Sequence, residues 1–192
     1  MKRKKPIDPN APLSYPQQMK LLRKQRAFWK SLGVDDPEQA PTHVHHLRWK
    51  YSDVTDEDLL LLTGRVRSVH LLDLDGADIT NEGVRHLARM EYVQELRLKE
   101  CGLLDEGCLP FLAEMTGLEL LHLGGTAIPI AALDALQPLQ KLRLLLVKAD
   151  DTEEIRGHLH RLQALLPDCI LNLNHQQFTD TRPWWDRLGP EP

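Results

Sequence analysis

Residues 93–128, VQELRLKECGLLDEGCLPFLAEMTGLELLHLGGTAI, contain one unit twice. Leu96, Leu98, Cys101 and Leu103 are echoed by Leu121, Leu123, Thr126 and Ile128 at the same internal spacing. Between the copies lies a helical run ending near Met115. With the middle leucine of each short strand as reference, units centre on Leu47, Leu72, Leu96, Leu121, Leu145 and Leu171, at intervals of 25, 24, 25, 24 and 26. One L-x-L match means little in a leucine-rich chain. Six at a nearly constant interval predict an array of strand-plus-helix units, none of which can bury its own leucines without a neighbour.

Stacking such units pairs their strands in parallel, about 4.8 Å apart. It packs Leu72, Leu74 and Ile79 against Leu96, Leu98 and Leu103, and these against Leu121, Leu123 and Ile128. Each such side chain contributes roughly 1.5–3 kcal/mol on full burial. The expected fold class is α/β, a solenoid with a curved parallel sheet on its concave side and helices on its convex side. Thr55, Thr80, Asp105 and Thr152 stand where helix N-caps belong, each followed by an acid within two positions. In the first unit, Trp49 replaces a leucine. Pro129 and Pro138 predict a short or irregular segment in the fourth. The fifth has the longest helix, and the sixth, CILNLN, a strand with no helix after it.

LDLDGADITNEGV and LRLKECGLLDEGC resemble the leucine-rich repeat family, in its short cysteine-containing type, with Ala77 and Asp150 departing at the Cys/Thr position. The resemblance covers about residues 44–174. The ending LQALLPDCILNLN looks like the last repeat of the mitochondrial factor B and distal-membrane-arm assembly group. Residues 1–43 carry neither an F-box nor a clear transit peptide, so no specialised role of such relatives is carried over. The resemblance implies protein binding rather than catalysis.

Four segments are expected. Residues 1–14 form a basic, disordered tail, and residues 15–43 an N-terminal capping helix with a loop. Residues 44–174 form the repeats, with about six strands, and residues 175–192 a C-terminal tail or cap holding Phe178, Trp184 and Trp185. The helix is read over Tyr15–Leu32, with Met19, Leu22, Trp29 and Leu32 on its apolar face and Gly33 as its stop.

Apolar content of 42% and charged content of 27% over 192 residues belong to a soluble globular chain. No apolar run approaches the roughly 20 residues that span a bilayer, and no secretory signal is read. Three cysteines, Cys101, Cys108 and Cys169, are read as reduced, buried small hydrophobes. The expected compartment is cytoplasmic, with a mitochondrial one kept open. Residues 1–50 carry 11 Lys/Arg against 4 Asp/Glu, and the remainder 13 against 24. A basic front thus precedes an acidic body.

The outward strand residues fall in three rows. The first is Arg48, Asp73, Arg97, His122, Leu146, Asn172, and the second Lys50, Asp75, Lys99, Gly124, Lys148, Asn174. The third is His46, Leu71, Glu95, Leu120, Leu144, Ile170. The alternating charges of the first two rows are expected to pair across strands as exposed ion pairs. Leu71, Leu120, Leu144 and Leu146, with Ile170, form an outward apolar patch that a partner or a terminal tail covers. Gly124 and Gly125 leave a dip beside it. The expected partner-binding residues are Arg48, Lys50, Leu71, Asp73, Asp75, Glu95, Arg97, Lys99, Leu120, His122, Leu144, Leu146 and Lys148. The partner is another protein, and the chain a monomer or weak dimer. The alternative is an adaptor binding nucleic acid or an anionic membrane through Lys2–Lys5 and the basic helix around Lys20–Lys30. Nucleic acid is the less expected of these partners.

No catalytic residue and no cofactor are predicted. There is no phosphate loop, G-x-S-x-G elbow or supported Cys/His pair. The histidines, among them His45, His46, His70 and His122, lack H-E-x-x-H spacing and the cysteines lack C-x-x-C, so no metal is predicted.

Overall fold

The computed structural model describes residues 14–51 and 53–178. The basic run Lys2–Lys5 and the pair Trp184 and Trp185 lie outside them. The chain divides into two compact units, Met1–Ala40 and Pro41–Pro192.

The first unit is built on helix α1, Tyr15–Ser31. Its apolar face is only partly buried. Phe28 and Trp29 are buried, their rings edge to face at 5.2 Å. Leu22, expected on that face, is 48% exposed, close to Leu21 at 49%. The leucines lie in the middle of a helix that buries its aromatic C-terminal turn.

The second unit is one seven-stranded sheet whose strands follow chain order. β1 is His43–Arg48, β2 Ser68–Asp73, β3 Tyr92–Arg97, β4 Leu120–His122, β5 Leu144–Val147 and β6 Ile170–Leu173. All five pairings among these are parallel, and the reference leucines meet in register from Leu47 to Leu171. The near-constant interval explains this, because each unit returns its strand one ladder spacing along the same direction. Helices α2 (Asp56–Thr63), α3 (Asn81–Leu87), α4 (Leu109–Glu114) and α5 (Glu153–Leu165) follow β1, β2, β3 and β5. The fourth unit has instead a 3₁₀ segment, Ile130–Leu136, between its two prolines. The core is drawn from both layers: Leu72, Leu96, Leu121 and Leu145 from strands, Leu59, Leu87, Leu112 and Leu159 from helices, all fully buried.

The third unit departs from the expected register. Leu103 is 57% exposed, and Leu104 fills the core place instead. Gly102 and Leu103 form a turn that holds one extra residue, and the helix cap slips with it, from eight residues after the reference leucine (Thr80 after Leu72) to nine (Asp105 after Leu96).

The predicted caps are in place, and the starts of the first three helical segments after β1 are tied to one another. Asp58 accepts hydrogen bonds from the N–H and hydroxyl of Thr55 at 3.0 and 2.8 Å. The N–H and hydroxyl of Thr80 donate to the Asp56 carboxylate of the preceding unit at 2.9 and 2.7 Å. Asn81 and Asp105 exchange two bonds across the next junction, at 2.6 and 3.2 Å. Gly83 makes room for this ladder, since a Cβ there would lie 2.5 Å from Asp56 Oδ1. Orphan N–H groups at a helix start therefore link neighbouring helices as well as capping one.

β6 ends in a reversal, at the start of the segment expected to be a C-terminal tail or cap. Asn174 and His175 both take positive φ, 51° and 68°, the conformation of a tight hairpin turn. Gln176–Gln177 then pair antiparallel with β6 as β7. Phe178 follows, buried, with its N–H on the Leu171 carbonyl at 2.8 Å and its ring 4.9 Å from that of His160.

Candidate functional site on the open sheet face

The register makes the three rows physical. Arg48, Asp73, Arg97, His122, Leu146 and Asn172 are Cα partners in succession, as are His46, Leu71, Glu95, Leu120, Leu144 and Ile170. Backbone bonds carry the ladder past the strands. Tyr51 donates to Asp75, Gly76 to Lys99 and Glu100 to Gly124, at 2.7, 2.7 and 2.8 Å. The second row is therefore aligned through Lys50, Asp75, Lys99 and Gly124. Beyond it the chain turns a corner in the left-handed region at Tyr51, Gly76, Glu100 and Gly125, with φ between 48° and 82°. The two glycines in this column were its one legible trace in the sequence.

The charged end differs from the expected exposed ladder. Asp73 and Asp75 are buried, at 1% and 6% exposure. Lys50 bridges both, 3.1 Å from Asp73 and 3.7 Å from Asp75. Each carboxylate also takes a backbone N–H: Asp73 from Asp75 at 3.3 Å, Asp75 from Lys99 at 3.0 Å. These acids hold adjacent strands together and are not offered to a ligand. Arg48 stays exposed, while Arg97 is half-buried with its Nε lacking a hydrogen-bond partner among the described residues.

The apolar patch is smaller than the row suggested. Leu71 is buried, flanked in register by His46 and Glu95. Leu120 and Leu144 are half-buried and Ile170 is 48% exposed, on three consecutive strands, with half-buried Leu146 in the next row.

Beside this patch the predicted dip is a cavity of about 670 Å³ lined by Lys99, His122, Gly124, Lys148, Asn172 and His175, among others. Gly124 supplies no side chain to fill it. Lys99 leans toward Glu100, 3.5 Å away, whereas Lys148 is exposed and has no carboxylate partner among the described residues. Burial is the main reason the His122 imidazole titrates below its ordinary value, and Lys99, Arg97 and His175 add to the effect against Asp75. Asn172 Oδ1 is buried without a hydrogen-bond partner among the described residues. Cys101, Cys108 and Cys169 are all buried and free, with thiols raised by burial to about 11, 12 and 11. They are core groups, not nucleophiles.

No protein-family model matches the chain, and no curated protein matches it. Among solved structures it is similar to the crystal structure of an internalin C2 from Listeria monocytogenes, at 17% identity and a TM-score of 0.41. That match covers 82% of this chain and 85% of the other. No helix among the described residues is long and apolar enough to cross a membrane.

Proposed function

We propose that the chain is a non-catalytic leucine-rich repeat scaffold, a solenoid that binds a partner protein on the concave face of its sheet. The observation that carries this reading is the adjacency of the Leu120–Leu144–Ile170 strip and the dip over Gly124. Together they form an apolar ledge beside a recess edged by Lys148 and His122. A protein segment with aliphatic side chains and one carboxylate matches both halves. Of the expected contact residues, Leu120, Leu144, Leu146, His122, Lys99 and Lys148 belong to this surface. Asp73 and Asp75 serve it indirectly by fixing the strands.

The test is affinity capture from host lysate at low and high salt, with wild type beside Leu144→Asp and Lys148→Glu. Proteins captured by wild type, kept at high salt and lost with either substitution are the expected result. Capture that survives both substitutions, with circular dichroism unchanged, moves binding off this face.

A second reading rests on α1, which exposes Tyr15, Leu21 and Leu22 beside Lys20, Arg23, Lys24 and Arg26. Exposed aliphatic and basic residues on one helix suit an anionic membrane surface. Sedimentation with phosphatidylserine vesicles, abolished by salt or by Leu21→Glu with Leu22→Glu, would support it. Equal recovery with neutral vesicles would remove it.

A further inference from the structure

We propose that His45, His46 and His70 form a binding site for a divalent late first-row transition metal such as Zn²⁺. Consecutive strand residues ordinarily face opposite ways. Here His45 and His46, between Val44 and Leu47, are both exposed, and His70, between the buried Val69 and Leu71, is half-buried. Val44 and Leu47 are more buried than His45 and His46, and Val69 and Leu72 bracket His70 and Leu71. His45 and His46 therefore share the open face, with rings stacked at 4.3 Å and 19°. The pairing of Val44 with Val69 brings His70 alongside. Its ring lies 4.6 Å from His45 and 5.9 Å from His46.

The three histidines offer ligand nitrogens that all lie within 4.8 Å of one another. A tetrahedral zinc with bonds of about 2.0–2.1 Å needs nitrogens roughly 3.4 Å apart. The exposed imidazoles of His45 and His46 close that gap toward the half-buried His70 by rotating about their own side-chain bonds. Three imidazoles without thiolate or carboxylate select zinc, copper or nickel over calcium and magnesium. Three protein ligands leave a fourth position for water. The site escapes motif searches because its ligands come from neighbouring strands 25 residues apart, and it lies on β1 and β2, away from the apolar ledge.

The experiment is calorimetric titration of the full chain with Zn²⁺, beside His45→Gln, His70→Gln and, as a control, His158→Gln. Saturable uptake of one Zn²⁺ per chain by wild type and by the His158 variant is expected. Loss of affinity by about tenfold or more is expected in each of the other two. Imidazole ¹H–¹⁵N signals of His45, His46 and His70 should shift together on addition of Zn²⁺. Unchanged uptake in both His45→Gln and His70→Gln, or no saturable uptake by wild type, overturns the proposal. His45 is exposed, so His45→Gln tests the ligand without threatening the fold.

Discussion

The Lys50 ammonium lies 3.1 Å from the carboxylate of Asp73, although the lysine is 44% exposed and the aspartate side chain only 2%. One partly solvated cation thus satisfies a buried anion on the next strand, and it also reaches Asp75. Removing it leaves two buried carboxylates next to each other with backbone N–H groups as their remaining partners. Lys50→Met should destabilise the fold by about 1–3 kcal/mol, less than a fully buried pair because water reaches the lysine. Urea unfolding of Lys50→Met, Asp73→Asn and the double variant measures this. Strictly additive losses would mean that the two residues do not interact.

The extra residue at the Gly102–Leu103 turn gives a sharp contrast between neighbours. Leu104→Ala should cost roughly 2–5 kcal/mol, as expected for a fully buried leucine. Leu103→Ala should change stability by no more than about 0.5 kcal/mol. Parallel thermal or urea melts of the two variants decide the register, and the reverse ranking would restore the regular repeat.

That contrast also marks where sequence reading succeeds. The strand register was legible because the interval between reference leucines is a direct consequence of stacking. The helix starts were legible because caps need Thr or Asp at fixed places. Leu103 and Leu104 were not separable, since both are leucine and only the turn geometry chooses between them. The rows Arg48–Asn172 and His46–Ile170 follow from register alone, but burial of Asp73, Asp75 and Leu71 does not. It depends on which long side chain from a neighbouring strand lies over them, as Lys50 lies over both aspartates. The histidine cluster escaped for a related reason: adjacency of His45 and His46 suggests opposite faces unless the repeat's own burial pattern is known.

The buried thiols predict an alkaline limit to stability. Burial raises Cys101, Cys108 and Cys169 from an ordinary value near 9 to about 11, 12 and 11. The folded chain therefore holds these protons more tightly than the unfolded chain does. Their contribution is complete below about pH 9 and is lost as pH rises toward 11–12. Unfolding free energy measured from pH 8 to 11 should fall, and Cys108→Ala should flatten the decline. In parallel, a thiol-specific reagent at pH 8 should label the native chain slowly and the urea-unfolded chain at once.

The hairpin of β7 gives the array a grammar of growth. Every junction from β1 to β6 repeats one geometry, so a further unit of 24 or 25 residues fits between existing units by copying a register already used. After β6 no such addition is possible, because Gln176 and Gln177 already occupy its free edge in the opposite direction. Duplication or engineered lengthening at this end of the sheet must therefore enter upstream of the hairpin. Gln176–Gln177 and Phe178 act as a full stop, one that also keeps a second molecule from continuing the sheet at β6.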